Sequence, residues 1–188
     1  MSWYAVDTDQ NPNMTNAQQE QNVLMIAAFF RSLGWTDTAI AGMCGNMEIE
    51  SFLNPGQFEI GHNYSPSYGF GLVQWTPYTN YSSWAGSDWR TNYNKQLQRI
   101  KYEFDNGLQW IPVASYNYMT FAQYSQSTAT PEYLAMAFEY SYERGTPMQT
   151  QRETAARKWY TFLSGTPTPG NLPIWLLFKL RWNNGGKT

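Results

Sequence analysis

The sequence predicts a mainly α-helical domain with a short β element, an α+β fold, followed by a C-terminal tail. Several stretches carry apolar residues at helical spacing between capping residues and glycines. One short run, residues 69–75, alternates in the way that strands do. A chain of 188 residues can bury one sizeable core, so we expect a single domain.

Two helices are predicted near the N-terminus. Thr15 and Gln18 stand at capping-box spacing, which predicts a helix that begins at Thr15 and ends at Gly34. Thr36 can cap a second helix over residues 37–51. The apolar face of this second helix consists of Ile40, Met43, Cys44 and Met47.

A loop and a strand are expected next. Asn54-Pro55-Gly56 breaks the chain, and residues 55–68 have the composition of a loop. From Gly69 to Trp75 a strand fits, with Phe70, Leu72 and Gln74 on one face. Thr76-Pro77 ends it.

The C-terminal half predicts three more helices, over about residues 88–106, 130–142 and 148–163. Thr130 and Pro131 form the clearest start, with Thr at the N-cap and Pro at the first helical position. These helices complete a predicted domain over residues 1–163.

Residues 164–171 have the composition of a Pro/Gly linker. In the tail that follows, residues 172–188, apolar side chains occupy every second position from Ile174 to Trp182. This spacing is typical of a strand. Because an unpaired strand tends to add to a sheet edge, we expect the tail to dock on a neighbouring protein or on another copy of the chain. It can instead fold back on its own domain.

The composition argues against several classes of function. The net charge is −2 and no basic patch appears, so nucleic-acid binding is not expected. No apolar run approaches the roughly 20 residues of a membrane span. With His62 and Cys44 as the single residues of their types, no zinc site, other metal or cofactor is expected. Met1 is followed by a polar segment, so we expect no signal peptide.

Glu48 and Glu50 near the end of the second helix are candidates for acid catalysis. On a helical wheel Glu50 lies about 70° and Glu48 about 90° from the centre of the apolar face, on opposite sides, so geometry barely separates them. Glu50 stands in the last turn, where the helix dipole disfavours negative charge. Partial burial acts in the same direction, and a raised pKa suits a general acid for glycoside cleavage. A surface glutamate near a helix end is the alternative.

The residues around these glutamates resemble a known family. The stretch from Ala41 to Ser51, then Asn54-Pro55, then Gly69 to Pro77, closely resembles the phage tail-type lysozyme family, which includes the lysozyme domain of podophage tail-knob proteins. The resemblance covers roughly residues 20–163. The Glu-Ser pair and the Gly-Leu-x-Gln run also resemble goose-type lysozymes and lytic transglycosylases. The resemblance implies a lysozyme-like helical domain with a short β-hairpin lobe.

The same resemblance implies an activity and a location. The family's catalytic glutamate falls on Glu50, and the substrate is the β-1,4 bond between N-acetylmuramic acid and N-acetylglucosamine in peptidoglycan glycan strands. The implied location is a virion tail that acts on the host cell wall, with other tail proteins as partners of the C-terminal tail. Lytic transglycosylation, a non-catalytic tail protein or wall-binding module, and an endolysin released at lysis remain alternatives.

Other site residues are assigned with their structural alternatives. The candidates for substrate binding are Gln74, Trp75, Tyr78, Tyr68 and Glu143. For the three aromatic residues the alternative is core packing, for Gln74 a structural amide, and for Glu143 an ion pair with Arg144. A second catalytic carboxylate is sought among Glu59, Asp88 and Glu143, and the sequence does not decide among them. Ser51 is expected to pack or to bind backbone.

Overall fold

The computed structural model describes residues 2–144 and 149–165, and this part of the chain is mainly helical. Its α-helices are α1 (Asn16–Ser32), α2 (Asp37–Ser51), α3 (Thr79–Ala85), α4 (Asn94–Asp105), α5 (Phe121–Ser125), α6 (Pro131–Phe138) and α7 (Gln149–Gly165). A 3-10 turn spans Ala114–Tyr116, and a π-helical turn, Glu139–Glu143, continues α6. The predicted fold class is confirmed.

Helix starts follow the predicted caps. The Thr15 side chain accepts a hydrogen bond from the Gln18 backbone in a complete capping box. Thr36 and Thr130 cap α2 and α6 in the same way, through the backbone N–H groups of Ala39 and Tyr133. Each cap satisfies a donor that the first turn of a helix leaves unpaired, which is why these boundaries can be read locally.

Other boundaries differ from the prediction. The helix predicted over residues 88–106 begins only at Asn94, and the short helices α3 and α5 were not predicted. The helix predicted over residues 130–142 changes at Glu139 to a π-helical turn. Such turns occur often at functional sites, and here the turn carries Glu139 and Glu143.

The predicted strand over residues 69–75 is wrong, and the hairpin lobe is not supported. Within the described residues the β pairing consists of two isolated bridges, Thr8 with Gln57 and Phe58 with Phe70. After Phe70 the chain turns, with positive φ angles at Gly71 (83°) and Gln74 (47°). The turn is stabilised from α4, where the buried Gln96 Oε1 accepts a hydrogen bond of 2.8 Å from the Leu72 N–H.

Helix α2 packs against both α6 and α7 at glycines. A Cβ atom at Gly42 would lie 2.9 Å from the Ala135 nitrogen of α6. A Cβ atom at Gly45 would lie 2.7 Å from the Arg152 carbonyl oxygen of α7 and 2.8 Å from the Ala156 nitrogen. The backbones of the three helices therefore touch, and side chains from α6 and α7 reach the C-terminal end of α2.

The predicted linker and tail, residues 164–171 and 172–188, lie outside the described residues except for the last two residues of α7. The division into a domain over residues 1–163, a linker and a docking strand therefore stays a prediction. Within the described part of the chain, none of the helices is long and apolar enough to cross a membrane.

Candidate active site

A cleft of about 780 Å³ opens at the C-terminal end of α2. Its walls come from the end of α2, the loop after Gln57, the turn before α3, α4 and the π-helical turn. The lining residues are Glu50, Phe58, Glu59, Ile60, Val73, Gln74, Trp75, Thr76, Asn80, Arg99, Glu103, Gln109, Tyr142, Glu143 and Arg144. The cleft brings Glu50, Gln74, Trp75 and Glu143 of the predicted site together and does not include Tyr68 or Tyr78.

Glu50 occupies the position that the sequence predicts for it. It is the penultimate residue of α2, which ends where Phe52 adopts a left-handed conformation with φ of 57°. The Glu50 side chain is 22% exposed, and its Oε1 accepts a hydrogen bond of 2.7 Å from Arg152 Nη2. The carboxyl group is thus half-buried and faces the cleft from a rigid helix end.

The structure separates Glu48 from Glu50, which the helical wheel could not do. The carboxylate of Glu48 accepts hydrogen bonds from Lys158 Nζ (3.0 Å) and Trp159 Nε1 (2.6 Å) of α7. Glu48 is not among the residues that line the cleft. Its carboxylate binds α7 on another side of α2, which leaves Glu50 as the α2 carboxyl group of the cleft.

The guanidinium of Arg152 joins three elements beneath the cleft. Arg152 is only 4% exposed, and besides Glu50 it donates from Nη1 to Asn46 Oδ1 at 2.9 Å. Its Nε lies 2.7 Å from Glu139 Oε2, an ion pair without an aligned hydrogen bond. Asn46 and Glu50 are four residues apart on one face of α2, so a single side chain of α7 reaches both.

Two further carboxyl groups come from the π-helical turn. Glu139 is fully buried, and this burial raises its pKa, against the opposing effect of Arg152. For Glu143, burial and then the negative charge of Glu50 raise the pKa well above its usual range. The Oε1 atom of Glu143 is buried without a hydrogen-bond partner in the described part of the chain. Burial and the charge of Glu50 both favour the protonated form of Glu143.

The expected ion pair between Glu143 and Arg144 is not formed. Among the described residues, the salt bridges within 4 Å do not include Glu143. The backbone gives the reason, because Arg144 adopts a left-handed conformation with φ of 56° as it ends the π-helical turn. Its side chain is exposed, whereas the Glu143 carboxyl is directed inwards.

Glu103 also lines the cleft, and its bonds are structural. Its Oε1 accepts hydrogen bonds from Arg99 Nε (2.7 Å) and Trp75 Nε1 (3.2 Å), and its Oε2 accepts one from the Tyr142 hydroxyl. Burial and the nearby Glu103 raise the pKa of Tyr142 well above its usual value, so the phenol stays protonated and keeps donating. Glu103 thus ties α4 to the turn and to the π-helical turn.

Gln74 and Ser51 hold the turn in place, Gln74 against the loop at Gln57 and Ser51 against the end of α2. Gln74 Nε2 donates to the carbonyl oxygens of Gln57 (3.1 Å) and Gly71 (2.9 Å), so its amide nitrogen has a structural role. The Ser51 hydroxyl is buried and contacts the carbonyl oxygens of Met47 (2.8 Å) and Leu72 (3.0 Å). The expectation that Ser51 binds backbone is confirmed.

The three predicted aromatic residues lie in different environments. Trp75 is 6% exposed and stacks on Tyr81, with ring centroids 4.7 Å apart. Tyr78 stacks on Trp89 at 5.2 Å. Tyr68, in contrast, is 37% exposed and stacks on His62 at 3.6 Å, which leaves one face of its ring towards solvent. Of the three, Tyr68 is the ring most accessible to a ligand.

Of the other two candidates for a second carboxylate, one lines the cleft and one does not. Glu59 lines the cleft, and its Oε2 accepts a hydrogen bond of 2.9 Å from the Gly69 N–H. Asp88 is outside the cleft lining and pairs with Lys95 of α4. The structure therefore brings Glu59 and Glu143, but not Asp88, into the cleft with Glu50.

Sequence reasoning missed Glu139, Arg152 and Glu103. The sequence feature that could have indicated such a residue is a charged side chain at helical spacing from apolar ones. Arg152 shows it, because Ala155, Ala156 and Trp159 follow at i+3, i+4 and i+7. A charge at such a position is buried and needs a partner. In the described residues, His, Cys, Asp and Glu side chains form no group of three or more that could hold a metal ion.

Two comparisons with known proteins bear on the family of this chain. The profile of a family described as phage tail lysozyme matches residues 21–163. Morphogenesis protein 1 of Bacillus phage B103 is 40% identical to this chain over 164 residues, which cover 86% of the chain and 44% of that relative. The chain thus spans less than half the length of this relative. The family match contains α2, the cleft and Glu50, and we conclude that the chain belongs to the phage tail lysozyme family.

Proposed function

We propose that this protein is a peptidoglycan glycosidase that cleaves the β-1,4 bond between N-acetylmuramic acid and N-acetylglucosamine. One observation carries the proposal: the half-buried carboxyl group of Glu50 faces a cleft of about 780 Å³ that a second carboxyl group, Glu143, also lines. Glycosidases characteristically place two carboxyl groups about the scissile bond. Membership of the phage tail lysozyme family supports the substrate class.

Glu50 is the proposed general acid. It donates a proton to the glycosidic oxygen as the bond to the sugar breaks. The negative charge of Glu50 disfavours ionisation of Glu143 and, after burial, is the main reason why the pKa of Glu143 is raised. Glu143 is the proposed second carboxyl group. In its ionised form it would accept a proton from the incoming water or stabilise the positive charge that develops on the sugar.

Glycan contacts are proposed at the rim of the cleft. Tyr68 offers an exposed ring face, the kind of flat apolar surface on which a sugar ring stacks. Gln74 and Trp75 line the cleft, and Tyr78 packs against Phe58, another residue of the lining, so their proposed part is to shape the wall that the glycan meets.

The proposed place of action is the host cell wall, with the protein carried on the phage tail tip or knob. The family description and the relative named Morphogenesis protein 1 support this location. Detection of the protein in purified virions tests it. Absence from virions, with release only at lysis, would identify an endolysin instead.

The C-terminal tail, residues 172–188, is the proposed docking strand for another tail protein. Its alternating apolar residues carry this proposal. Truncation after Asn171 should reduce incorporation into virions while the melting temperature and wall hydrolysis hold. A truncated protein that melts much earlier would show that the tail is part of the core.

The activity itself is tested by loss of turbidity of purified cell walls on addition of the recombinant chain. Wall hydrolysis by the wild-type protein, and none by Glu50→Gln, is the expected result. Co-sedimentation with cell walls without any loss of turbidity would identify a wall-binding module, and the enzymatic proposal would be dropped.

A further inference from the structure

The carboxyl groups beneath the cleft outnumber the cations that contact them. Arg99 forms a salt bridge with Glu103. Among the described residues, Arg152 is the cation within 4 Å of both Glu50 and Glu139, and Glu143 interacts electrostatically with the same guanidinium. In this part of the chain, one guanidinium therefore serves three carboxyl groups, because Arg99 pairs with Glu103 and Arg144 is exposed. Three full negative charges about one cation would be poorly compensated in a buried site, so the group retains protons.

We propose that Arg152 is a positioning residue that fixes the direction of Glu50 towards the cleft and, as the cation shared by Glu50, Glu139 and Glu143, sets the balance of charge in this cluster. This inference rests on the proposed glycosidase function for its kinetic consequences. The position of Arg152 and its charged contacts do not depend on that function.

The direction of Glu50 is set by a rigid fork. Nη1 and Nη2 of Arg152 bind Asn46 and Glu50, one helical turn apart on α2, while Nε faces Glu139. Asn46 cannot rotate freely, because its Nδ2 donates to the carbonyl oxygens of Gly42 (3.0 Å) and Ala135 (2.8 Å). Arg152 is thus held at three points, and the position of the Glu50 carboxyl group follows from it.

A lysine at this position could supply the charge but not the geometry. Its ammonium is a single point on a flexible stem, whereas the guanidinium presents a planar set of donors. Substitution of Arg152 by lysine therefore keeps the positive charge but removes the fixed orientation that the guanidinium gives to Glu50. The other charged or titratable groups that face the cluster come from α4 (Arg99, Glu103), from the π-helical turn (Tyr142, Arg144) and from the loop at Glu59. All of these remain in the variants.

The test compares Arg152→Lys with the double variant Arg152→Met/Glu139→Gln. The double variant removes the buried guanidinium together with its fully buried partner Glu139, so the carboxyl group that loses its ion pair is that of Glu50, which is 22% exposed. Glu132→Gln is the matched control, because Glu132 and Arg157 form an ion pair between α6 and α7 that is more exposed and away from the cleft. Each protein is assayed for kcat and KM of wall hydrolysis from pH 4 to pH 9, with melting temperature alongside.

In Arg152→Lys we expect kcat to fall by about 10²-fold, as for an active-site group displaced by about 1 Å, with KM and the alkaline limb of the pH profile unchanged. In the double variant we expect the alkaline limb to move to higher pH by about one unit, because Glu143 loses the cation that favours its ionised form, and this effect is larger than that of the Glu139 charge removed with it. Glu132→Gln should match the wild type. A wild-type kcat in Arg152→Lys, or an unmoved limb in the double variant, would overturn the proposal.

A second measurement does not depend on activity. Carbon-13 NMR of labelled glutamate carboxyl groups follows their titration in the wild type and in both variants. We expect the cleft carboxyl groups to titrate at higher pH in the double variant, and identical curves would refute the inference. Absence of wall hydrolysis by the wild-type protein would instead refute the proposed function, and the titration would still decide the role of Arg152.

Discussion

Gly45 is the position at which helix packing and the candidate site depend most directly on each other. In Gly45→Ala the added methyl would lie 2.8 Å from the Ala156 nitrogen and 2.7 Å from the Arg152 carbonyl oxygen, both backbone atoms of α7. Comfortable contact needs about 3.5 Å, so α2 and α7 must separate by roughly 0.7 Å. Overpacking of this kind costs about 1–3 kcal/mol. For a chain of this size the melting temperature should fall by about 2–12 °C.

The same displacement should reduce activity. Arg152 moves with α7 and holds Glu50, and a displacement near 1 Å at a catalytic group can cost about 10²-fold in rate. Circular dichroism during heating gives the stability, and turbidity of purified walls gives the rate. Gly165→Ala is the control, because a Cβ atom there meets nothing within 4 Å. If Gly45→Ala proved as stable and as active as Gly165→Ala, backbone contact between α2 and α7 would not support the site.

Three further results are expected. Glu50→Gln should lower wall hydrolysis by about 10²–10⁴-fold because an amide cannot donate the proton, whereas Glu48→Gln should keep most activity; the reverse pattern would move the acid to Glu48. Burial and Glu50 raise the pKa of Glu143 above that of an unfolded glutamate, about 4.3, so its stabilisation is complete below that pH and is lost as the pH rises. Melting temperatures from pH 5 to 8 should fall less steeply in Glu143→Gln, and parallel curves would exclude this linkage. Trp75→Ala should cost about 3–5 kcal/mol of stability as a core substitution, whereas Tyr68→Ala should weaken glycan binding at unchanged melting temperature; a stable Trp75→Ala protein would show that this ring is not core.

The parts of the fold that the sequence predicts well depend on neighbouring residues. Thr36 caps α2 and Thr15 caps α1 because a side-chain oxygen three residues away from an unpaired N–H is a purely local arrangement. The apolar periodicity of α2 then extends to Ser51, and the observed bounds of this helix equal the predicted ones. Glu50 could be placed at the helix end for the same reason.

The turn at residues 71–74 shows why the rest could not be predicted. The alternation of Phe70, Leu72 and Gln74 looks like a strand, but Leu72 and its neighbour Val73 are both buried, so no face is directed to solvent. The turn depends on the Gln96 side chain, which comes from a helix more than twenty residues later. A local pattern contains no information about that partner.

The ion pairs beneath the cleft could not be predicted from the sequence, because their partners lie far apart along the chain. Arg152 follows Asn46 by 106 residues and Glu50 by 102, and only packing through Gly45 brings them together. On the helical wheel, Glu48 and Glu50 lie at similar angles from the centre of the apolar face. In the structure, their different hydrogen-bond partners on α7 distinguish them. Long-range pairing of this kind is visible in the sequence only as a charge on an apolar stripe, as at Arg152.

Mass spectrometry of the fragments released from purified peptidoglycan tests the central claim most directly. The wild-type protein should release muropeptides cleaved between N-acetylmuramic acid and N-acetylglucosamine, and Glu50→Gln should release none. A free reducing end would identify a hydrolase, whereas a 1,6-anhydro ring would identify a lytic transglycosylase. Wild-type digests that contain only intact glycan strands, or the same fragments from Glu50→Gln, would contradict a glycosidase whose acid is Glu50.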